Sequence, residues 1–250
     1  MTTPPRTTSS PHSSPSAGSS ELTAPEEVEL KLVVRGENPA DTLAAISRLV
    51  QLGDARLGPP RRLSMHDLYW DTPERVLGAS HVSLRLRTVD GAMLLTTKGA
   101  TQVNGGLFRR RELELPADRA GWKRIRGALR VEGIKLRNQT ADSPRPVDWL
   151  SAAGLVVTQD RVTERTLRVA YQGERAIAEI ACDVTRFNFG GRTADYHEVE
   201  VEQLSADAPV RSLGRALVAR FPGQLEPARI GKYARGLQLE RELAEREGAG

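Results

Sequence analysis

The chain has 250 residues, with 36 Lys and Arg residues against 32 Asp and Glu residues and a formal net charge of +4. A chain of this length can bury a substantial core in one large domain or two small ones. Its single cysteine excludes an internal disulfide framework, and no run of about 18 apolar residues could span a membrane. The N-terminal residues lack the features of a secretory signal, so we expect a cytoplasmic protein.

The composition divides the chain into a tail and a folded part. Residues 1–25 are rich in Ser, Thr and Pro, which predicts a disordered tail. We place one domain at 26–240 and expect the charged end at 241–250 to fray into solvent. Aromatic residues make up only 4% of the chain and are not interleaved with a basic block, so no specific nucleic-acid partner is expected.

The first predicted elements are a strand and a helix. Charged and apolar residues alternate over 27–34, which predicts the strand. Asn38 can cap the following helix, Pro39 suits its first position, and Gly53 can end it. The apolar face of this helix is predicted to consist of Leu43, Ile46, Leu49 and Val50.

The rest of the chain is predicted to be rich in strands. Strands are expected at 68–72, 81–89, 92–99 and 108–115, and again near 155–161, 163–171, 175–185 and 196–204. Helices are expected over 118–131, 210–221 and 230–247, with a loop at 138–146. Many strands without an alternating βαβ rhythm predict an α+β fold in which helices pack against an antiparallel sheet.

Charged side chains gather on one face of four predicted strands, because residues two apart in a strand share a face. These residues are Glu27, Glu29 and Lys31; Arg85 and Arg87; Arg110, Glu112 and Glu114; and Glu198, Glu200 and Glu202. An antiparallel sheet with one wet face is the simplest interpretation. Carboxylates in a row nevertheless repel unless a cation such as Mg²⁺ or Mn²⁺ binds them, and guanidinium groups bind phosphate oxygens. This sorting of charge favours a metal–polyphosphate substrate.

Several segments carry a family resemblance. The EVELK segment at 27–31 resembles the ExExK signature of the CYTH, or triphosphate tunnel metalloenzyme, superfamily. Further similar segments follow in the family's order: DLYWDTPERVLGASHVSLRLR (67–87), TTKG (96–99), GGLFRRRELEL (105–115), Asp183 in ACDVT, the Glu198-Glu200-Glu202 ladder and Lys232 in IGKYARG. Gly231 stands where the family has a serine. The resemblance covers about 26–238 and implies an eight-stranded antiparallel β-barrel, a tunnel with a polar interior and helices outside.

The resemblance also implies roles for individual residues. With Mg²⁺ or Mn²⁺ as cofactor, the implied metal ligands are Glu27, Glu29, Asp183, Glu198, Glu200 and Glu202. The implied phosphate-binding residues are Lys31, Arg85, Arg87, Lys98, Arg110, Arg161, Arg165 and Lys232, where the choice between Arg161 and Arg165 stays open. Catalytic roles fall on Glu29, Lys98, Asp183 and Glu200.

The implied activity is metal-dependent hydrolysis of the terminal phosphate of a small triphosphate, with inorganic tripolyphosphate as the leading substrate. Within the superfamily the alternatives are a class IV adenylate cyclase, an RNA 5′-triphosphatase and a thiamine triphosphatase; for the last, Ser83 stands where a Trp is expected. A module that binds polyphosphate or nucleotides without turnover is the alternative of another class. The carboxylate rows disfavour such a module, because a pure polyanion binder gains nothing from them. We expect a monomer or homodimer that acts on a small triphosphate away from membranes.

Overall fold

The computed structural model describes residues 25–139 and 141–248, so the predicted tail, apart from Pro25, lies outside the described residues. The strands are β1 (Glu26–Val34), β2 (Gln51–Leu52), β3 (Ala55–Leu57), β4 (Arg61–Asp71), β5 (Ser83–Val89), β6 (Ala92–Lys98), β7 (Gln102–Asn104), β8 (Leu107–Pro116), β9 (Val156–Gln172), β10 (Arg175–Phe189), β11 (Arg192–Gln203) and β12 (Leu225–Pro227). The helices are α1 (Pro39–Ser47), α2 (Val76–Ala79), α3 (Arg119–Val131), α4 (Pro146–Ala152), α5 (Val210–Arg220) and α6 (Lys232–Gly248).

Eight strands close into an antiparallel barrel. Their order is β10, β11, β1, β8, β6, β5, β4 and β9, and pairing of β9 with β10 completes the circle. The β2–β3 hairpin attaches to β9, while β7 and β12 pair with β8 and β1. The predicted α+β fold with an eight-stranded tunnel and outer helices is thereby confirmed. No helix in the described residues is both long and apolar enough to cross a membrane.

The barrel strands present mainly charged side chains to the inside, with apolar exceptions such as Met65 and Leu94, and apolar side chains to the outside. On β1, Val28, Leu30 and Leu32 point outward, and Glu29 and Lys31 point inward. Both sets are buried, because the outer side chains lie under helices and the inner ones fill a narrow interior. The alternation predicted from the sequence therefore describes the two surfaces of the barrel wall.

Two apolar clusters cover the outside of the barrel. One lies under α1 and α5 against β1, β10 and β11, and it includes the lone cysteine, Cys182. The other lies under α3 and α4, and it buries Trp122, Ile125 and Leu129 as predicted, together with Leu150. These clusters hold the outer wall of the barrel and fix the positions of its strands.

The first helix is shorter than predicted. It ends at Ser47, and Gly53 instead lies in the turn of the β2–β3 hairpin with a φ of 56°. Val50 is 75% exposed, so its predicted place on the apolar face is wrong. Asn38 occupies the N-cap position without a side-chain hydrogen bond, whereas Pro39 begins the helix as predicted. The chain forms the β2–β3 hairpin instead of a longer first helix because the hairpin backbone pairs with β9.

Other differences also follow from long-range pairing. The two strands predicted over 155–171 form the single strand β9, because β4 and β10 pair with it along both edges. Arg168 projects from the outer face of β9 and donates hydrogen bonds to the carbonyls of Ser47, Leu49, Leu57 and Gly58, which fastens the hairpin to the wall. Short α2 and α4 were not predicted, whereas α6 matches the helix predicted over 230–247.

Candidate active site

The barrel interior contains a cavity of about 430 Å³. Its lining includes these predicted site residues: Glu27, Glu29, Lys31, Arg85, Arg87, Lys98, Arg110, Arg161, Arg165, Glu200, Glu202 and Lys232. The remaining two, Asp183 and Glu198, are fully buried directly beside Lys232. A larger cavity of about 750 Å³ lies outside the barrel near β12 and the start of α6, but it contains none of these residues. The structure therefore brings every predicted site residue to one interior.

Three carboxylates form a buried cluster on β10 and β11. Asp183, Glu198 and Glu200 each offer one oxygen, and these oxygens lie within 4.8 Å of one another. The first residue of α6, Lys232, points into the cluster, with its Nζ 2.6 Å from Asp183 Oδ2 and 2.7 Å from Glu198 Oε1. Arg165 binds Asp183 through two hydrogen bonds of 2.8 and 2.7 Å and also contacts Glu200. This cluster thus combines three acids with two cations.

Glu198 is the poorly satisfied member of this cluster. Its Oε1 meets the Lys232 ammonium at 2.7 Å, whereas its Oε2 has no partner among the described residues. Burial, reinforced by the Glu200 carboxylate, raises the pKa of Glu198 to about 7. Burial also opposes ionisation of Asp183 and Glu200, but their cationic neighbours outweigh it and hold the pKa of each below its usual range. Glu198 therefore has ligating capacity that the protein itself leaves unused.

The other predicted metal ligands form a second group across the interior. Arg110 binds Glu27 Oε2 and Glu29 Oε1 at 2.7 Å each, and Lys98 lies 3.0 Å from Glu27 Oε1. Burial and the carboxylates of Glu27, Glu29 and Glu200 raise the pKa of Glu202 to about 7. The six predicted metal ligands thus fall into two groups of three.

Lys31 connects these two groups. Its ammonium lies 2.8 Å from Glu29 Oε2 and also contacts Glu200 Oε1. Burial disfavours its charge, but Glu200 and Glu29 outweigh this effect and raise the pKa of Lys31 well above its usual value. Lys31 therefore stays charged and separates the carboxylates of β1 from those of β11.

A cluster of arginines occupies another part of the lining, and Asp67 lies at its centre. Arg87 binds Asp67 through hydrogen bonds of 2.7 and 2.9 Å, and Arg161 Nη2 lies 3.2 Å from the same carboxylate. Arg85 Nη1 is 3.8 Å away, and its Nη2 binds Glu114 at 3.0 Å. Burial opposes ionisation of Asp67, but the three arginines outweigh it and hold its pKa well below the usual range.

Sequence reasoning missed Asp67 and left Arg161 and Arg165 undistinguished. The structure separates the two arginines, since Arg161 meets Asp67 and Arg165 meets Asp183. Asp67 and Tyr69 are two residues apart on β4 and therefore share a face. This spacing is the signal in the sequence that could have identified Asp67 as an inward residue. Its importance depends on register, because Asp67 stands opposite Arg87 on β5 and opposite Arg161 on β9.

The aromatic side chains in the lining are already engaged. Tyr69 stacks on Tyr233 with ring centroids 4.7 Å apart, and the Arg161 guanidinium lies 4.6 Å from the Tyr69 centroid. The Tyr69 hydroxyl also accepts a hydrogen bond of 2.6 Å from Arg161. Beyond this strand end, the Asp71 carboxylate accepts backbone N–H groups at the start of α2 and thereby fixes the turn.

The donor set of the buried cluster fits a divalent cation. Asp183, Glu198 and Glu200 offer the hard carboxylate oxygens that Mg²⁺ and Mn²⁺ prefer. The unpartnered Oε2 of Glu198 is the structural feature that a cation would satisfy, because buried polar atoms are costly without partners. The Lys232 ammonium shows that this position already accommodates positive charge.

Comparison with known proteins identifies the family. The CYTH domain model matches residues 25–216. A Hippeastrum protein that was proposed to be an adenylyl cyclase and reveals a dominant triphosphatase activity aligns with a TM-score of 0.57 at 18% identity, covering 85% of this chain and 95% of that one. A proposed adenylate cyclase from Bacillus halodurans aligns with a TM-score of 0.51 at 18% identity, covering 84% and 97%. These likenesses agree with the barrel fold, and the family match shows that the chain belongs to the CYTH domain family.

Proposed function

We propose that the protein is a divalent-metal-dependent hydrolase of small triphosphates, with inorganic tripolyphosphate as its substrate. The observation that carries this proposal is the composition of the barrel interior. An arginine cluster and Glu200 line a cavity of about 430 Å³, and the other two carboxylates of the buried cluster, Asp183 and Glu198, lie directly beside Lys232 of the same lining. The relatives described as adenylate cyclases, one with a dominant triphosphatase activity, support a triphosphate substrate.

The charge balance of the lining supports a requirement for metal. Nine basic and eight acidic side chains line the cavity, so the protein alone nearly neutralises itself. A triphosphate carries several negative charges, and a nearly neutral interior would leave most of them uncompensated. Asp183, Glu198 and Glu200 would hold the divalent cation. Glu27, Glu29 and Glu202 would form the second carboxylate group, across the interior. When bound, such a cation neutralises developing charge on phosphoryl oxygens.

The arginine cluster would bind and orient the substrate. Asp67 holds Arg85, Arg87 and Arg161 in place, so they lose little side-chain freedom when a phosphate arrives. Guanidinium groups bind phosphate oxygens through paired hydrogen bonds. Lys98 and Lys31 extend this positive lining toward the carboxylates of β1.

Proton transfer from the attacking water would fall to a carboxylate with a raised pKa. Glu202 lines the cavity, and its pKa of about 7 suits a general base near neutral pH. Asp183, which we expected to orient water, is fully buried and bound by Arg165 and Lys232. Asp183 would therefore hold the divalent cation and position Arg165 and Lys232, rather than orient the attacking water.

The aromatic residues favour inorganic triphosphate over a nucleotide. Recognition of a base uses a free aromatic face, but Tyr69 is already packed against Tyr233 and Arg161. The described lining contains no further aromatic residue. A substrate made only of phosphates uses the charged groups without needing such a face.

A phosphate-release assay tests this function. Tripolyphosphate, ATP, thiamine triphosphate and long-chain polyphosphate are compared with Mg²⁺, Mn²⁺, Ca²⁺ or EDTA. We expect tripolyphosphate to turn over fastest and EDTA to abolish turnover. Formation of cyclic AMP from ATP would instead identify a cyclase, and binding without turnover would identify a non-catalytic module.

A matched pair of variants locates the activity. Glu200→Gln should lower metal-dependent turnover at least ~100-fold, because it removes a carboxylate of the buried cluster. Glu164→Gln makes the same chemical change on the exposed face of β9 and should leave turnover unchanged. Equal activity in both variants, with both folded by circular dichroism, would remove the buried cluster from the site.

A further inference from the structure

A strongly basic surface lies on α3 and the segment after it. Residues 117–139 contain seven Lys or Arg residues and two acidic residues. Four of the cations occur at positions i, i+4, i+7 and i+11 of the helix, which places them on one side of it. We name the following residues the α3 basic surface: Arg119, Lys123, Arg124, Arg126, Arg130, Lys135 and Arg137.

Most of these cations have no partner within the chain. Lys123, Arg124, Arg130, Lys135 and Arg137 are exposed, and their side chains make no hydrogen bond or ion pair within the described residues. The two others serve the fold. Arg119 and Arg126 lie over the rings of Trp149 and Trp122 and donate hydrogen bonds to backbone carbonyls.

Several arginines elsewhere on the surface are compensated by carboxylates. Exposed pairs include Arg35 with Glu226, Arg61 with Asp90, Arg145 with Asp148, Arg175 with Asp207 and Arg186 with Asp195. On the α3 basic surface, neighbouring like charges repel instead, and the two acidic residues of this segment leave a net excess of five positive charges. A concentration of one sign of charge is the electrostatic footprint of a polyanion site.

We propose that the α3 basic surface binds long-chain inorganic polyphosphate. The unpartnered Lys123 and Arg130 lie two helical turns apart, about 10 Å, so a flexible phosphate chain can contact both. Proteins that bind single-stranded nucleic acid add aromatic stacking to positive charge. Every Phe, Trp and Tyr of this chain is buried or half-buried, so a ligand with phosphates but no bases fits the surface better.

This surface is separate from the tunnel. Helix α3 packs on the outside of β6 and β8, and none of its cations lines the tunnel cavity. Polyphosphate binding at α3 therefore requires neither metal nor turnover. The inference stands whether or not the tunnel hydrolyses tripolyphosphate.

Fluorescence anisotropy of end-labelled long-chain polyphosphate, with the full chain in EDTA, tests the proposal. We expect Lys123→Gln/Arg130→Gln/Lys135→Gln to raise Kd at least ~10-fold and to lower the slope of log Kd against log salt by about three. The control Arg48→Gln/Arg62→Gln/Arg220→Gln removes the same charge from other exposed positions and should leave Kd within about twofold of the parent. Tripolyphosphate turnover should be unchanged in the α3 variant.

Three results would overturn the proposal. One is an equal rise in Kd for both triple variants, which would show that binding depends only on the net charge of the protein. Another is absence of polyphosphate binding by the parent protein at physiological salt. The third is competition by single-stranded or duplex RNA as strong as that of polyphosphate at equal phosphate concentration, which would assign the surface to nucleic acid.

Discussion

The inner and outer faces of the barrel use opposite chemistry on the same strands. On β11, Glu198 and Glu200 face inward among cations, while Val199 and Val201 are fully buried under the outer helices. Burial of apolar surface stabilises the fold, whereas buried ion pairs mostly recover the cost of their own desolvation. The outer face should therefore govern stability and the inner face activity, which predicts different outcomes for substitutions on the two faces.

The largest effect is expected for Glu198→Gln on the inner face. Metal-dependent phosphate release should fall at least ~100-fold, because a carboxylate of the buried cluster is lost. The free energy of unfolding should change little, because the cost of burying the wild-type carboxylate largely offsets its ion pair with Lys232. Release assays and urea titrations measure the two quantities. Loss of stability together with activity would contradict the separation of the faces.

Asp67→Asn should lower both the stability and the activity. It is therefore expected to be an exception to the rule that the inner face governs activity alone. Three arginines lose the charge at their centre, which should lower the free energy of unfolding by about 3–5 kcal/mol. The displaced arginines should also raise KM for tripolyphosphate more than they lower kcat. Thermal denaturation and steady-state kinetics test this, and an unchanged Tm and KM would remove Asp67 from its central role.

Leu84→Ala tests the outer face of β5. Leu84 is fully buried against the outer helices, so its truncation should cost about 2–5 kcal/mol of unfolding free energy. The neighbouring inward residue, Arg85, should keep its contacts, so kcat per folded molecule should not change. Urea titration with active-site-normalised kinetics measures both values. A large fall in kcat would show that the outer packing controls the tunnel.

The smallest effect is expected for Glu202→Gln without metal. The folded-state pKa of about 7 lies above the usual 4.5, so ionised Glu202 destabilises the fold at high pH. In EDTA at pH 8 the variant should be more stable than the wild type by the order of 1–3 kcal/mol. This gain should shrink as the pH falls through 7 and vanish near pH 4. If the stability difference between the variant and the wild type, measured by urea denaturation, does not change with pH, protonation of Glu202 is not its cause.

Much of the fold was predictable because its signal is local. Alternation with a period of two placed Glu29 and Lys31 on one face of their strand, and Glu198 and Glu200 on one face of theirs; the family resemblance made these faces the inside of a tunnel, and the described lining contains Glu29, Lys31 and Glu200. The failures occurred where distant pairing prevails over local preference. Val50 was predicted to lie on a helix face, but pairing of the hairpin with β9 ends that helix early.

The sequence by itself determined which residues share a face of each strand, because side-chain direction alternates along a strand. It also contained the ordered motifs on which membership of the CYTH domain family depends. Only the tertiary structure decided which cation meets which carboxylate, including Asp67 with its arginines and Lys232 with Asp183. These pairings depend on strand register, on barrel closure and on where α6 begins, all of which join residues far apart in the chain.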